Sequence, residues 1–176
     1  MDLSKIESGQ LELQCIYTDI VQIMHNAISE ISSLMDDKQL QIHMDVSNAI
    51  ICYVDPVLLH QVFINLLSNA VKFSESQQSI TIEFELLSKH RRDNSENLVE
   101  IRVIDQGKGI PQKELKTVFN QFVRVSDNRT SKDGTGLGLT ISKKIIEMHA
   151  GHIWAESPGV GRGTSICLQL PIANVD

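Results

Sequence analysis

A chain of 176 residues, 41% hydrophobic and 22% charged, is long enough to bury the core of one domain. Its 22 acidic residues outnumber 16 basic ones for a net charge of −6, which argues against a nucleic-acid partner and means that any anionic ligand needs a metal, a helix N-terminus or a few placed cations. Cys15, Cys52 and Cys167 are odd in number and far apart, which argues against a disulfide framework or a CxxC zinc site, and no apolar run approaches the length of a bilayer span. Buried, reduced thiols in a cytoplasmic protein are the plain expectation. Met1 to Gln10 has no signal-peptide hydrophobic block.

Met1–Gly9 is polar and reads as the tail of a helix stopped at Gly9. Leu11–Tyr17 alternates as a strand. From Thr18 to Lys38, apolar residues at Ile20, Ile23, Met24, Ala27, Ile28, Ile31 and Leu34 follow the three-and-four spacing of an amphipathic helix, with Asp19 in its first turn. Gln41–Val46 and Ala49–Val54 read as a pair of strands about a turn at Ser47-Asn48. Pro56 opens a second helix, capped by Asp55 and running to about Phe73. Ile80–Leu87 and Leu98–Ile104 are two more strands, and the polar Lys89–Asn97 between them reads as an exposed hairpin loop. Gln112–Val118 reads as a short helix after Pro111, and Ser126–Gly136 as a mobile loop. Leu137–His149 is a third long helix, ended by Gly151. His152–Glu156 and Thr164–Leu170 are closing strands joined by the Gly-rich Ser157–Gly163. The set predicts a two-layer α/β sandwich: a mixed, mostly antiparallel sheet of about five main strands, three long helices on one face and the other face partly solvated.

Three stretches carry chemistry. On the second helix, Leu59, Val62, Phe63, Leu66, Leu67 and Ala70 make an apolar side, while Gln61, Asn65, Ser68, Asn69 and Lys72 make a polar stripe. The stripe is either a solvated face or a ligand surface. For a ligand surface, an Asn carbonyl oxygen suits Mg²⁺ and the Asn and Lys donors suit phosphate oxygens. The second stretch is Asp105-Gln-Gly-Lys-Gly-Ile-Pro111, at a strand end. Taken alone it is a Gly-rich turn, but its carboxylate can also accept a hydrogen bond from an exocyclic amino group while Gly107 and Gly109 let a flat base approach. The third, Asp133-Gly-Thr-Gly-Leu-Gly-Leu139, opens a helix with three spaced glycines, a place for phosphates rather than a plain cap. It is neither a Rossmann fingerprint nor a Walker A loop. None of His25, His43, His60, His90, His149 and His152 has metal-ligand spacing; His25 and His43 read as structural, and His60 adjoins the polar stripe.

Taken in order, these stretches resemble the motifs of sensor histidine kinases. His60–Ser74 resembles their N box, Val103–Pro111 their G1 box, Val118–Val125 their F box and Gly134–Leu139 their G2 box. Asp2–Gly9 is similar to the end of the helical dimerisation hairpin, so residues 1–9 are expected to be its remnant and 10–176 the ATP-binding catalytic domain. The resemblance implies the Bergerat-type fold shared with gyrase B, Hsp90 and MutL, with a mobile ATP lid over about Ser126–Gly136. It also implies roles. Asn65 would ligate Mg²⁺, Asn69 and Lys72 would contact phosphate oxygens, and Phe73 would line the pocket. Asp105 would hold the adenine amino group, with Gly107, Gly109 and Ile110 beneath the ring, and Arg124 would reach the γ-phosphate. Gly134, Thr135, Gly136, Leu137, Gly138 and Leu139 would close over the triphosphate, and Thr164 would meet the base edge through water. Ile166 departs from the Phe usual near that position.

The implied reaction moves the γ-phosphate of ATP, with Mg²⁺, to a histidine on the dimerisation hairpin, and a response-regulator receiver domain is the implied partner downstream. The family's acceptor is a His followed by an acid and then a Pro, and none of the six histidines has that context. The expectation is therefore a cytoplasmic, monomeric catalytic piece, without membrane contact of its own, that phosphorylates a hairpin supplied in cis or in trans. Two alternatives are another ATPase of this fold and a non-catalytic nucleotide-binding module. Gln61 stands where the hydrolases carry a Glu, which disfavours the first; Asn65, Asp105 and the three glycines disfavour the second.

Overall fold

The computed structural model describes residues 11–46, 48–91, 94–120 and 136–173. The expected hairpin remnant at 1–9 and the body of the expected lid lie outside them. The elements in chain order are β1 (Ile16–Asp19), α1 (Ile20–Asp36), β2 (Gln41–Met44), β3 (Ile51–Val54), α2 (Pro56–Phe73), β4 (Ser79–Arg91), β5 (Asn94–Asp105), α3 (Gly138–Met148), β6 (His152–Glu156) and β7 (Thr164–Pro171). A five-stranded sheet has the order β2-β4-β5-β7-β6, and β1 and β3 make a separate two-stranded ribbon. Only the β2–β4 pairing of the large sheet is parallel. The mixed, mostly antiparallel sheet with three helices is the predicted sandwich.

Helix starts follow their caps. Asp19 ends β1 and caps α1 by accepting from Val21 N at 3.0 Å, and the same Oδ1 accepts from Ile50 N, so one carboxylate fixes both the helix and the ribbon. Asp55 caps α2 through Val57 N and Leu58 N, with Pro56 in the first turn, and its other oxygen takes Gln14 N. Ile20, Met24, Ala27 and Ile31 of α1 pack with Leu59, Val62, Phe63, Leu66 and Leu67 of α2 over Ile80, Ile82, Val99, Ile101 and Leu168 of the sheet. The opposite face of the sheet carries Glu83, Glu85, Glu100, Arg102 and Gln169 alongside Ile104 and Cys167. There the buried Glu100 is pushed up by burial, but bonds from Gln169 and Arg102, and the charge of Arg102, outweigh this and hold its carboxyl below the usual range.

His149 joins the start of α2 to the end of α3. Its ring is buried: Nε2 accepts from Asp55 N at 2.9 Å, so Nδ1 carries the proton and donates to Ile145 O at 2.8 Å. The cap of α2 is thereby tied to the end of α3. Cys52 and Cys167 are buried, and burial is the main cause that pushes both thiols up to about 12, so they stay protonated; Cys15 is only half-buried.

Four boundaries or pairings differ from expectation. The segment 11–15 is not strand, because Asp55 holds it by Gln14 N rather than by a ladder. Strands β2 and β3 do not pair with each other: β2 runs parallel to β4, and β3 pairs antiparallel with β1. The expected loop Lys89–Asn97 is largely ladder, with register continuing through Ser88↔Asn97 and Lys89↔Glu96 to Arg91↔Asn94. Backbone pairing extends past the apolar stretch because the register is already set below it. Gln112–Val118 forms successive turns, closed by Glu114 N to Pro111 O and Thr117 N to Glu114 O, rather than a helix.

Candidate functional site

The polar stripe of α2 is half-buried rather than solvated. Asn65 donates from Nδ2 to Ser142 Oγ of α3 at 2.9 Å, and Ser142 is itself buried. This bond orients the amide and leaves Oδ1 beside Gly138, where a Cβ would collide with it. Only glycine lets the start of α3 come this close to α2. Unlike α1 and α2, α3 has no side-chain cap: Leu137 stands at its N-cap position. Among the described residues, the N–H groups of its first turn are thus without the side-chain acceptor that both other helices have, which suits an anion. Thr140 Oγ1, in the same turn, is buried with no hydrogen-bond partner among the described residues. Gly136 has φ +71°, Asn69 lies one turn beyond Asn65, and Lys72 Nζ stands 5.5 Å from the Phe73 ring centroid.

At the end of β5, Asp105 Oδ1 accepts from Gly107 N at 2.8 Å and from Thr164 N at 3.2 Å. Its Oδ2 has no hydrogen-bond partner among the described residues. Burial pushes the Asp105 carboxyl above the usual range, against the two N–H groups that pull it down. Gly107 packs on Phe73 O, where a Cβ would collide, and Lys108 N donates to that same carbonyl.

The loop Ser157–Gly163 clamps this turn. Gly161 N donates to Lys108 O at 2.6 Å and Gly163 N to Gly107 O at 3.0 Å. Ser157 Oγ, buried, accepts from Ile110 N and donates to Gly163 O at 2.7 Å. Gln112 Nε2 donates to Ser157 O at 2.6 Å. Gly109, at φ +67°, leaves room for Gly159 O.

The fold therefore brings Asn65 to Gly138 at the start of α3 and Phe73 to Gly107 and Lys108 in the Asp105 turn, with Asn69 and Lys72 between them on α2, Thr164 held on Asp105, and Gly109 and Ile110 packed on the Ser157–Gly163 loop. Arg124, Gly134 and Thr135 lie outside the described residues. His60 turns from the stripe toward Glu30 of α1, at 3.5 Å. Ser142 and Ser157 went unread in the sequence: a Ser in a helix or a Gly-rich loop has ordinary local roles, and only the fold supplies their distant partners. No group of three or more His, Cys, Asp or Glu suited to a metal occurs among the described residues. The hard ligand on offer is Asn65 Oδ1, which fits an ion that takes most of its ligands from phosphate and water.

Residues 54–174 match the family model described as histidine kinase-, DNA gyrase B-, and HSP90-like ATPase. The chain is 42% identical over 132 residues to the sensor protein kinase WalK of Staphylococcus haemolyticus, covering 74% of this chain and 20% of that protein. It is 30% identical over 173 residues to the adaptive-response sensory kinase SasA of a Synechococcus species, covering 98% of this chain and 44% of that protein. The chain thus spans less than half the length of either relative. Among solved structures, the mycobacterial sensor histidine kinase MprB superposes with a TM-score of 0.76 at 24% identity, over 89% of this chain and 98% of that one. Full-length ShkA in complex with AMPPNP gives the same TM-score at 23% identity, over 97% of this chain and 34% of that one.

Proposed function

The chain belongs to the histidine kinase-, DNA gyrase B- and Hsp90-like ATPase family, and from that premise we propose that it is the ATP-binding catalytic domain of a sensor histidine kinase. In this reading, residues 10–176 donate the γ-phosphate of ATP to a histidine on a dimerisation hairpin, from which a response-regulator receiver takes it. The observation that carries the reading is Asp105: a buried carboxylate with one oxygen satisfied by two backbone N–H groups and the other facing no donor among the described residues. That is the acceptor an adenine amino group needs. Asn65 beside the uncapped start of α3 supports a phosphate end to the same site.

Asp105 holds the base, while Gly107, Gly109 and Ile110 form its floor and Phe73 its wall. Asn69 and Lys72 contact the phosphates, Gly136 to Leu139 lie along them, and Thr164 stands at the base edge. Arg124, Gly134 and Thr135 complete the phosphate side. Asn65 Oδ1 would hold a magnesium ion, which when bound supplies charge neutralisation of the phosphates. The residues position the chain of phosphates and add donors to it. Gln61, an amide where the hydrolases of this fold carry a carboxylate, supplies no general base at that position, which disfavours a strong hydrolase and supports transfer. The family relatives named sensor kinases support the same choice. Among the described residues, no helix is long and apolar enough to cross a membrane; a cytoplasmic location is part of the proposal.

The test is to mix the chain with γ-labelled ATP, magnesium and a separately expressed histidine-bearing hairpin. Acid-labile, alkali-stable label on the hairpin is expected, with slow steady-state hydrolysis in its absence. Fast hydrolysis and an unlabelled hairpin would place the chain with the hydrolases instead.

A further inference from the structure

We propose that Lys38, in the turn after α1, is a positioning residue for the nucleotide site, acting through the end of α2. The inference rests on the reading of that site given above. Lys38 Nζ donates to three backbone carbonyls, Val71 O at 2.8 Å, Lys72 O at 3.0 Å and Ser74 O at 2.9 Å. A helix leaves its last four carbonyls without intrahelical partners and carries partial negative charge there. One ammonium group answers two of them and the carbonyl of the C-cap residue Ser74, with all three of its protons used.

The carbonyls so held belong to the segment that builds the site. Lys72 and Phe73 are the last residues of the ligand stripe, and Phe73 O, between two held carbonyls, takes Lys108 N and abuts Gly107. The turn that bears Asp105 therefore rests on a backbone whose course Lys38 sets. A second tie points the same way: Gln77 N donates to Lys38 O at 3.0 Å, so the α1–β2 and α2–β4 connections are joined at both ends of this lysine. Lys38 is half-buried and meets the proposed ligand region only at backbone carbonyls, that of Lys72 among them, which is why its role is positioning and not catalytic.

The test compares wild-type chain with Lys38→Met and Lys38→Arg. It reads affinity for magnesium·AMPPNP by calorimetry well below each melting temperature, and hydrogen exchange at the Lys108 amide without ligand. Lys38→Met is expected to bind about tenfold more weakly and to exchange faster at Lys108, with Lys38→Arg, which keeps charge and donors, within about threefold of wild type. If Lys38→Met does not fold, Lys38→Gln, which keeps a donor without charge, takes its place with the same expectation. A folded Met or Gln variant that melts lower yet binds as tightly as wild type overturns the inference and leaves Lys38 a purely structural clamp. Wild-type chain that binds no nucleotide overturns the reading of the site, and the inference with it; wild-type binding with unchanged variants overturns the inference alone.

Discussion

At the residue scale, Asp105 couples the binding chemistry to pH. Its carboxyl titrates higher in the folded chain than in the unfolded one, so the folded state holds the proton more tightly. Stability from this group is then fullest below the ordinary carboxylate pKa and declines as pH rises through that value to the raised folded one. Asp105→Asn removes the buried charge but keeps an oxygen for Gly107 N and Thr164 N. It is expected to unfold in urea at neutral pH no more easily than wild type, and to lose less stability than wild type between about pH 4 and pH 7. Its amide would turn a donor toward the adenine amino group, so nucleotide affinity should fall by at least about tenfold. An Asn variant that binds as tightly as wild type would remove Asp105 from the base site. The opposed direction at Glu100, which its partners hold low, means that the pH profile of the wild type sums two contrary contributions, and the difference between variant and wild type isolates the one at Asp105.

At the element scale, the Asp105 turn and the Ser157–Gly163 loop act as one piece, since Ser157 Oγ serves Ile110 N and Gly163 O at once. Ser157→Ala leaves buried backbone groups unmet and is expected to cost about 2 kcal/mol of stability, with weaker nucleotide binding because Ile110 loses its anchor. A denaturation midpoint equal to wild type would show that water replaces the hydroxyl without loss. The long elements are legible in the sequence: Asp55 announces α2, and the apolar spacing of Ile20 to Ile31 and Leu59 to Ala70 states which faces are buried, although Asp19 stands as the cap of α1 rather than in its first turn and Leu34, at the end of the expected face, is exposed. The strand pairings were less so. Gln41–Val46 and Ala49–Val54 look like a hairpin because a turn separates them, yet β2 finds β4 in parallel across α2, and Asp19 draws Ile50 toward β1. Pairing of that kind depends on partners far along the chain, which local pattern does not encode. The ladder through Lys89–Asn97 was hidden for another reason: it has no alternation of apolar and polar residues to display.

At the scale of the whole molecule, the proposed site belongs to no single element. Asn65 comes from α2, Asp105 from β5 and Gly138 from α3, and in the sequence it is the resemblance to an ordered set of family motifs, not any one stretch alone, that names all three. The residues that hold them in place were not legible, because their partners are remote: Asn65 meets Ser142 across 77 positions, Ile110 meets Ser157 across 47, and Lys38 meets Val71 across 33. The same remoteness makes the site a reporter of folding. Unfolding separates α2, β5 and α3, so a ligand that bridges them binds the native chain and not the unfolded one. Magnesium·ATP at a hundredfold excess over its Kd is therefore expected to add about 2.7 kcal/mol, which for a domain of this size raises Tm by about 5–11 °C. Chelating the metal should remove most of that rise if Asn65 Oδ1 holds a magnesium ion against the phosphates, and Asn65→Ala should remove it with metal present. A full rise in EDTA would show that the base and phosphates are held without metal, and would strip Asn65 of its proposed ligand role while leaving Asp105 in place.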